Sequence, residues 1–199
     1  MWIVKLGGSL AQEPQWLLWL EMLAELGRGR VTIVCGGGSF ADEVRQAQAR
    51  WQFDDLAAHN MAVLAMAQSA YMAHGLLPSL RLATRRVDLL RVLHAGHTAL
   101  WLPLDKTSPR PTPDTSWDNS ADSMALELAI TLNAERLVLV KSCPLQPALP
   151  LADLGQAGVL DRSFVARASR AVFPIDLVHK DDVTAVRSWL IGEGRGSSP

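Results

Sequence analysis

Two stretches decide how this chain folds: Trp2-Ile3-Val4-Lys5-Leu6-Gly7-Gly8-Ser9 and Val31-Thr32-Ile33-Val34-Cys35-Gly36-Gly37-Gly38-Ser39. Each opens with a short, mostly apolar run of strand length, halts at glycines, and then takes up a helical spacing of apolar residues. The helix after the first runs from about Pro14 to Leu26 and is stopped by Gly27 and Gly29. After the second, Phe40 to Trp51 continues as a helix, with Ser39 in position to cap it.

A strand-glycine-helix unit used twice predicts parallel strands joined by crossover helices. Outward from these units the alternation persists. A long helix spans about Asp54 to His74. Strands follow near Leu80 to Ala83 and Thr98 to Leu102, with a helix over Val87 to Leu93 between them. Asn119 or Ser120 caps a helix reaching Asn133, Arg136 to Lys141 reads as a strand, and from Ile175 a short strand leads to a helix over Asp181 to Ile191. The expected fold class is α/β, a three-layer αβα sandwich on a mainly parallel central sheet. Residues 1–192 form the expected single domain, with 193–199 a flexible tail. Pro103 to Asp114 holds four prolines and exceeds an ordinary connector, which leaves a functional lid and a plain linker both open.

Composition narrows the function. The 199 residues are 49% hydrophobic, enough for one substantial core, and carry a formal net charge of -1. The 19 basic residues are scattered, so no nucleic-acid partner is expected. Two cysteines make neither a disulfide framework nor a zinc cluster and fit a reducing, cytoplasmic setting. The apolar stretch Leu56 to Leu80 is broken by His59, Asn60, Gln68, His74 and Pro78, so no membrane span is expected. Met1 enters directly into strand-like sequence, with no secretory leader pattern.

Parallel sheets bind ligands beyond the carboxyl ends of their strands, where helix N-termini present unpaired N–H groups. In the first turn, Gly7, Gly8 and Ser9 let backbone amides approach a phosphate, and Lys5 adds a full positive charge. The second turn, Gly36, Gly37 and Gly38, would lie at the same edge if the strands are neighbours. Two such nests side by side suit the donor and acceptor ends of a phosphoryl transfer. The Walker A pattern is absent, because here the lysine precedes its glycines. Gly36 to Ala41 formally satisfies a dinucleotide fingerprint, with Asp54 or Asp55 as the ribose acid. That acid should end a second strand, however, and Ala49 to Asp55 reads as a helix end and loop. Asp118 and Asp122 lie four apart at a helix start. They serve either as caps at the positive end or as groups facing the turns, where an acid can orient Lys5 or approach a nucleotide-bound Mg2+.

In order and spacing, the glycine turn after Lys5, the triple glycine, Ser120-Ala121-Asp122-Ser123 and the strand Arg136 to Val140 resemble the amino acid kinase family over most of residues 1 to 140. Gly38-Ser39-Phe40-Ala41 before Val44-Arg45, His59-Asn60-Met61-Ala62, Leu102-Pro103 and Ser116-Trp117 are most similar to its short archaeal-type branch, which includes the kinase of [5-(aminomethyl)furan-3-yl]methyl phosphate in methanofuran synthesis. The resemblance implies an ATP- and Mg2+-dependent kinase acting on a small molecule. Lys5 and Asp122 are the implied catalytic pair, and Gly7, Gly8, Ser9 and Lys141 the nucleotide side. Gly36, Gly37, Gly38, His59, Asp118 and Asn119 form the acceptor side, no residue is assigned as a metal ligand, and a homo-oligomer is expected. For His59 a purely structural hydrogen bond is the slightly favoured reading, since a histidine at a helix start more often serves that role. Two departures stand out. Lys141-Ser142-Cys143-Pro144-Leu145 replaces the family's Thr-Asp-Val-Asp-Gly. The family's second catalytic lysine has no match among Gly158 to Ala171, leaving Arg162, Arg167, Lys141 or Lys106 to substitute. An amino acid carboxylate kinase and a noncatalytic nucleotide sensor are the alternatives.

Overall fold

The computed structural model describes residues 1–112, 115–117, 119–145 and 151–192. Its centre is a six-stranded sheet in the order β3-β4-β2-β1-β5-β6. The strands are β1 (Trp2–Leu6), β2 (Val31–Cys35), β3 (Arg81–Ala83), β4 (Ala99–Trp101), β5 (Arg136–Lys141) and β6 (Ile175–His179). Every pairing is parallel, with β1 between β2 and β5, so Lys5 stands level with Val34 on one side and Leu139 on the other.

The helices are α1 (Gln15–Leu26), α2 (Gly38–Trp51), α3 (Asp55–Leu76), α4 (Arg86–His94), α5 (Ala121–Thr131), α6 (Leu151–Gln156), α7 (Arg162–Ala168) and α8 (Val183–Ile191). The expected sandwich is therefore present, with α6 and α7 filling a stretch to which the sequence reading assigns no element. Two cores flank the sheet. Ile3, Val34, Leu137 and Leu139 pack with α4, α5 and α7 on one face, while Val4, Leu6, Ile33, Val138 and Val140 pack with α1 and α8 on the other. Strand side chains alternate between faces, so Lys5 shares the α5 side with Ile3, and Lys141 shares it with Leu137 and Leu139.

Some local expectations change. α2 starts at Gly38, two residues before the expected Phe40, and Ser39 lies inside the helix with no side-chain cap at its start. Asp54 caps α3 by accepting from the Ala57 amide at 2.8 Å, and α2 leads directly into α3. No strand ends at Asp54 or Asp55, so the dinucleotide reading loses its ribose-binding acid. The expected tail lies outside the described residues, as does Asp118.

The two glycine turns cross in direct contact. A Cβ on Gly8 would lie 2.4 Å from the Gly38 nitrogen, and one on Gly36 would lie 2.5 Å from the Gly8 nitrogen. Gly38 also holds φ at +54°, in the left-handed region that glycine adopts without strain. We expect Gly8→Ala to destabilise the protein by about 1–3 kcal/mol or more, since backbone on both sides of the clash must move. Gly75→Ala, in the last turn of α3 with open space around it, should instead stabilise by about 0.5–1 kcal/mol. Urea titration of the two variants checks both signs.

Candidate active site

All six strands end at one edge, and so does the start of α5, which runs back antiparallel to them before β5. Ser120 caps that helix, its Oγ accepting from the Asp122 amide at 3.1 Å. This turns the Asp122 side chain toward the sheet, where it meets two cations at once. The Lys5 Nζ lies 2.7 Å from Asp122 Oδ1, and the Lys141 Nζ donates to Oδ2. The side chains of Lys5 and Asp122 are only 7% and 5% exposed, so each charge depends on the other for its solvation. Lys141 also donates to the Val159 carbonyl at 2.7 Å.

Burial alone would push the Asp122 carboxyl up, but the Lys5 ammonium, and then that of Lys141, hold it below the ordinary carboxylate range. Lys141 is driven below the usual lysine value first by burial and then by repulsion from Lys5, with Asp122 working the other way. The pair of lysines is thus one unit of excess positive charge at the foot of the turns. An ammonium has three donors, and among the described residues Lys5 spends one and Lys141 two, so both keep hydrogen-bonding capacity for an anion.

The turns divide their work in an unexpected way. The Gly7 amide donates to Val140 O at 3.0 Å and the Gly36 amide to Leu6 O at 2.9 Å. Gly7 and Gly36 therefore stitch the strand ends together and are not available to an anion, contrary to the expectation for both. The amides that remain without such a strand partner are those of Gly8 and of the uncapped first turn of α2, beginning at Gly38. Ser9 is exposed and donates to Ser142 Oγ at 3.1 Å, which ties the first turn to the segment after Lys141.

A cavity of about 300 Å3 opens over this edge. Among the residues assigned from sequence, Lys5, Gly8, Ser9, Gly36, Gly37, Gly38, His59 and Asn119 line it. Asp122 and Lys141 sit beneath, as the ion pair just described. His59 Nε2 is 3.2 Å from the Lys106 carbonyl, so the ring is both anchored and at the cavity wall. The neighbouring Asn60 clasps the proline loop, donating to Ser108 O and accepting from Ser108 N, both at 2.8 Å. Lys106 pairs with Glu127 at 2.6 Å, committing it to that carboxylate. The long loop is thus tied down over residues 106–108.

Two contributors escape sequence reasoning. Trp117 lines the cavity, held by its Nε1 donating to Gln48 Oε1 at 2.7 Å and by the Arg45 guanidinium 4.5 Å from its ring. Asp161 accepts from Ser120 Oγ and Ser123 Oγ at 2.5 Å each, tying α7 to the start of α5. Only its helix-capping position before Ser163 and Phe164 is visible in sequence. Cys35 plays no chemical part, since burial pushes its thiol up to about 12.

A family model described as the amino acid kinase family matches residues 1–144. The [5-(aminomethyl)furan-3-yl]methyl phosphate kinase of Methanocaldococcus jannaschii is 26% identical over 142 residues, covering 70% of this chain but only 64% of that relative's length. The UMP kinase of Bacillus anthracis superposes with a TM-score of 0.71 at 18% identity, covering 96% of this chain and 92% of the other. An isopentenyl phosphate kinase superposes at 0.62 and 15% identity, covering 98% and 97% of the two chains. These two structures share the fold.

Asp122→Asn should destabilise the protein by about 3–5 kcal/mol, because it strands two buried ammonium groups beside each other. The wild-type carboxyl, being depressed in the fold, contributes stability that is complete above its unfolded value and fades as pH falls through its folded one. Denaturant titrations across acidic pH should show that loss in the wild type and its absence in Asp122→Asn.

Proposed function

Because the chain belongs to the amino acid kinase family, we propose that it transfers the terminal phosphoryl group of ATP to a small-molecule acceptor, a phosphate monoester of the aminomethylfuran phosphate type. The observation that carries this reading is the pair of buried lysines sharing Asp122 where the glycine turns cross. Phosphoryl transfer needs alignment and charge stabilisation more than any protein nucleophile, and this edge offers amides, two cations and a cavity. Without a Cβ at Gly8, Gly36 and Gly38 the two turns meet directly, which brings the Gly8 amide and the first turn of α2 to one place at the cavity, where phosphate oxygens can reach both.

In this reading Lys5 neutralises charge building on the transferred group. Lys141 does so from the nucleotide side, filling the place of the family's second lysine from the end of β5. Gly8 and Ser9 hold the donor phosphates, and the first turn of α2 from Gly37 and Gly38 faces the acceptor with His59 and Asn119. Mg2+ travelling with the nucleotide supplies further neutralisation of the phosphates. An acceptor phosphate oxygen forms the new P–O bond as the bond to the ADP oxygen breaks, and an ionised phosphate needs no base. The relative from Methanocaldococcus jannaschii supports the acceptor class. We further propose that residues 1–192 act as one cytoplasmic unit. The apolar side chains Met61, Leu64, Tyr71, Met72 and Leu76, exposed along α3, support a homo-oligomer.

Incubation with ATP, Mg2+ and either [5-(aminomethyl)furan-3-yl]methyl phosphate or an amino acid carboxylate should release ADP only with the phosphate monoester. ATP binding without ADP release from any acceptor would replace this reading by that of a nucleotide sensor. Lys5→Ala should lower kcat by about two orders of magnitude or more with the fold intact, read by circular dichroism.

The pH dependence follows from Lys141. Its folded value lies below the ordinary one, so turnover should fall on the alkaline side before free lysine titrates. The same shift makes stability rise with pH between the folded and unfolded values, where the unfolded chain binds the extra proton. Lys141→Arg keeps its charge at all these pH values, and its kcat profile should lose the alkaline limb.

A further inference from the structure

We propose that Asp161 is a positioning residue that aligns the two lysines by latching the turn before α7 to the start of α5. The turnover part of this proposal rests on the kinase reading above.

Four donors converge on one carboxylate. Asp161 Oδ1 accepts from Ser123 Oγ at 2.5 Å and from the Phe164 amide at 2.6 Å. Its Oδ2 accepts from Ser120 Oγ at 2.5 Å and from the Ser120 amide at 3.3 Å. Four donors fill the capacity of an ionised carboxyl group. A plain helix cap needs only the Phe164 amide. The other three donors all belong to the first turn of α5 or its cap, and that turn carries Asp122. Ser120 is bound twice over, since its Oγ also accepts from the Asp122 amide.

Two residues before Asp161, the Val159 carbonyl takes the second hydrogen bond of Lys141. The turn 159–161 therefore fixes both ends of one contact. Val159 holds the Lys141 ammonium, and Asp161 holds the helix start whose Asp122 receives it. With two of its three donors directed by this turn and by Asp122, Lys141 has its remaining N–H set in direction. The arrangement also accounts for the missing second lysine among residues 158–171. Here the cation comes from the end of β5, and the turn supplies acceptors in place of a cation.

The test uses Asp161→Asn and the double variant Ser120→Ala with Ser123→Ala in the full chain. Asparagine keeps an oxygen for Phe164 and Ser123 but turns an NH2 toward the Ser120 amide, donor against donor. The double variant leaves the carboxylate capping α7. First, the trinitrophenylation of each lysine by trinitrobenzenesulfonate, in which the free amine displaces sulfite from the ring, is followed by peptide mass spectrometry. Both variants should raise the rate at Lys141 several-fold relative to Lys180 in the same molecule, because a directed ammonium becomes loose. Second, kcat should fall about tenfold while KM for ATP and acceptor stays within about twofold, the signature of a lost alignment.

An unchanged Lys141-to-Lys180 ratio, or a uniform rise at all lysines together with a lowered Tm, would overturn the latch and leave Asp161 as a cap. Absence of acceptor-dependent ADP release in the wild type would instead sink the kinase reading. The trinitrophenylation ratio decides the latch in either case.

Discussion

The structure turns on one carboxylate shared by two ammonium groups below the surface of the sheet edge. Asp122 cannot be removed without leaving like charges adjacent in a poorly solvated place, and neither lysine can be buried without it. Such an arrangement is poor value as a stabilising device, because desolvation opposes much of the Coulomb attraction. Its consequence is local: one unit of positive charge that is not neutralised, held where three backbone segments end. An anion arriving there meets a field already in place, with no side chain to reorganise.

That geometry depends on the closeness of the glycine turns. Gly8 touches Gly36 and Gly38 at distances that exclude any Cβ, so β1 and β2 can present their ends as a single surface. Gly7 and Gly36 give their amides to neighbouring strands, which makes the turns rigid, while Gly8 and the open first turn of α2 keep amides for a ligand. The absence of a side-chain cap on α2 is consistent with this division, since a capping oxygen would occupy the amides an anion needs.

The wall opposite the turns is built from contacts that link distant parts of the chain. Asn60 and His59 of α3 bind backbone of the proline loop, Lys106 bonds to Glu127 of α5, and Trp117 leans on α2 through Gln48 and Arg45. The long loop thus behaves as a strap between α3 and α5 over residues 106–108, and the cavity is framed by elements that also bear the charged groups.

Sequence alone determined the layers, the parallel strands and the position of the turns, because those follow from local signals. Strand-length apolar runs, glycine stops and helical spacing are readable over five to twenty residues. The two glycine turns as strand ends were legible for the same reason, as were Ser120 as a cap and the family to which the order of motifs points. Only the tertiary structure decided which groups meet. Lys141 lies 136 residues beyond Lys5 in the chain yet two residues beyond its level on the adjacent strand, a distance of about 8 Å by strand spacing and rise. The register that brings them together comes from packing of both sheet faces. Likewise Asp161 has no role in the sequence reading until α7 is docked on α5, and Gly7 reads as a phosphate ligand until β5 claims its amide. Pairing across the sheet is a non-local choice, and no window of sequence contains it.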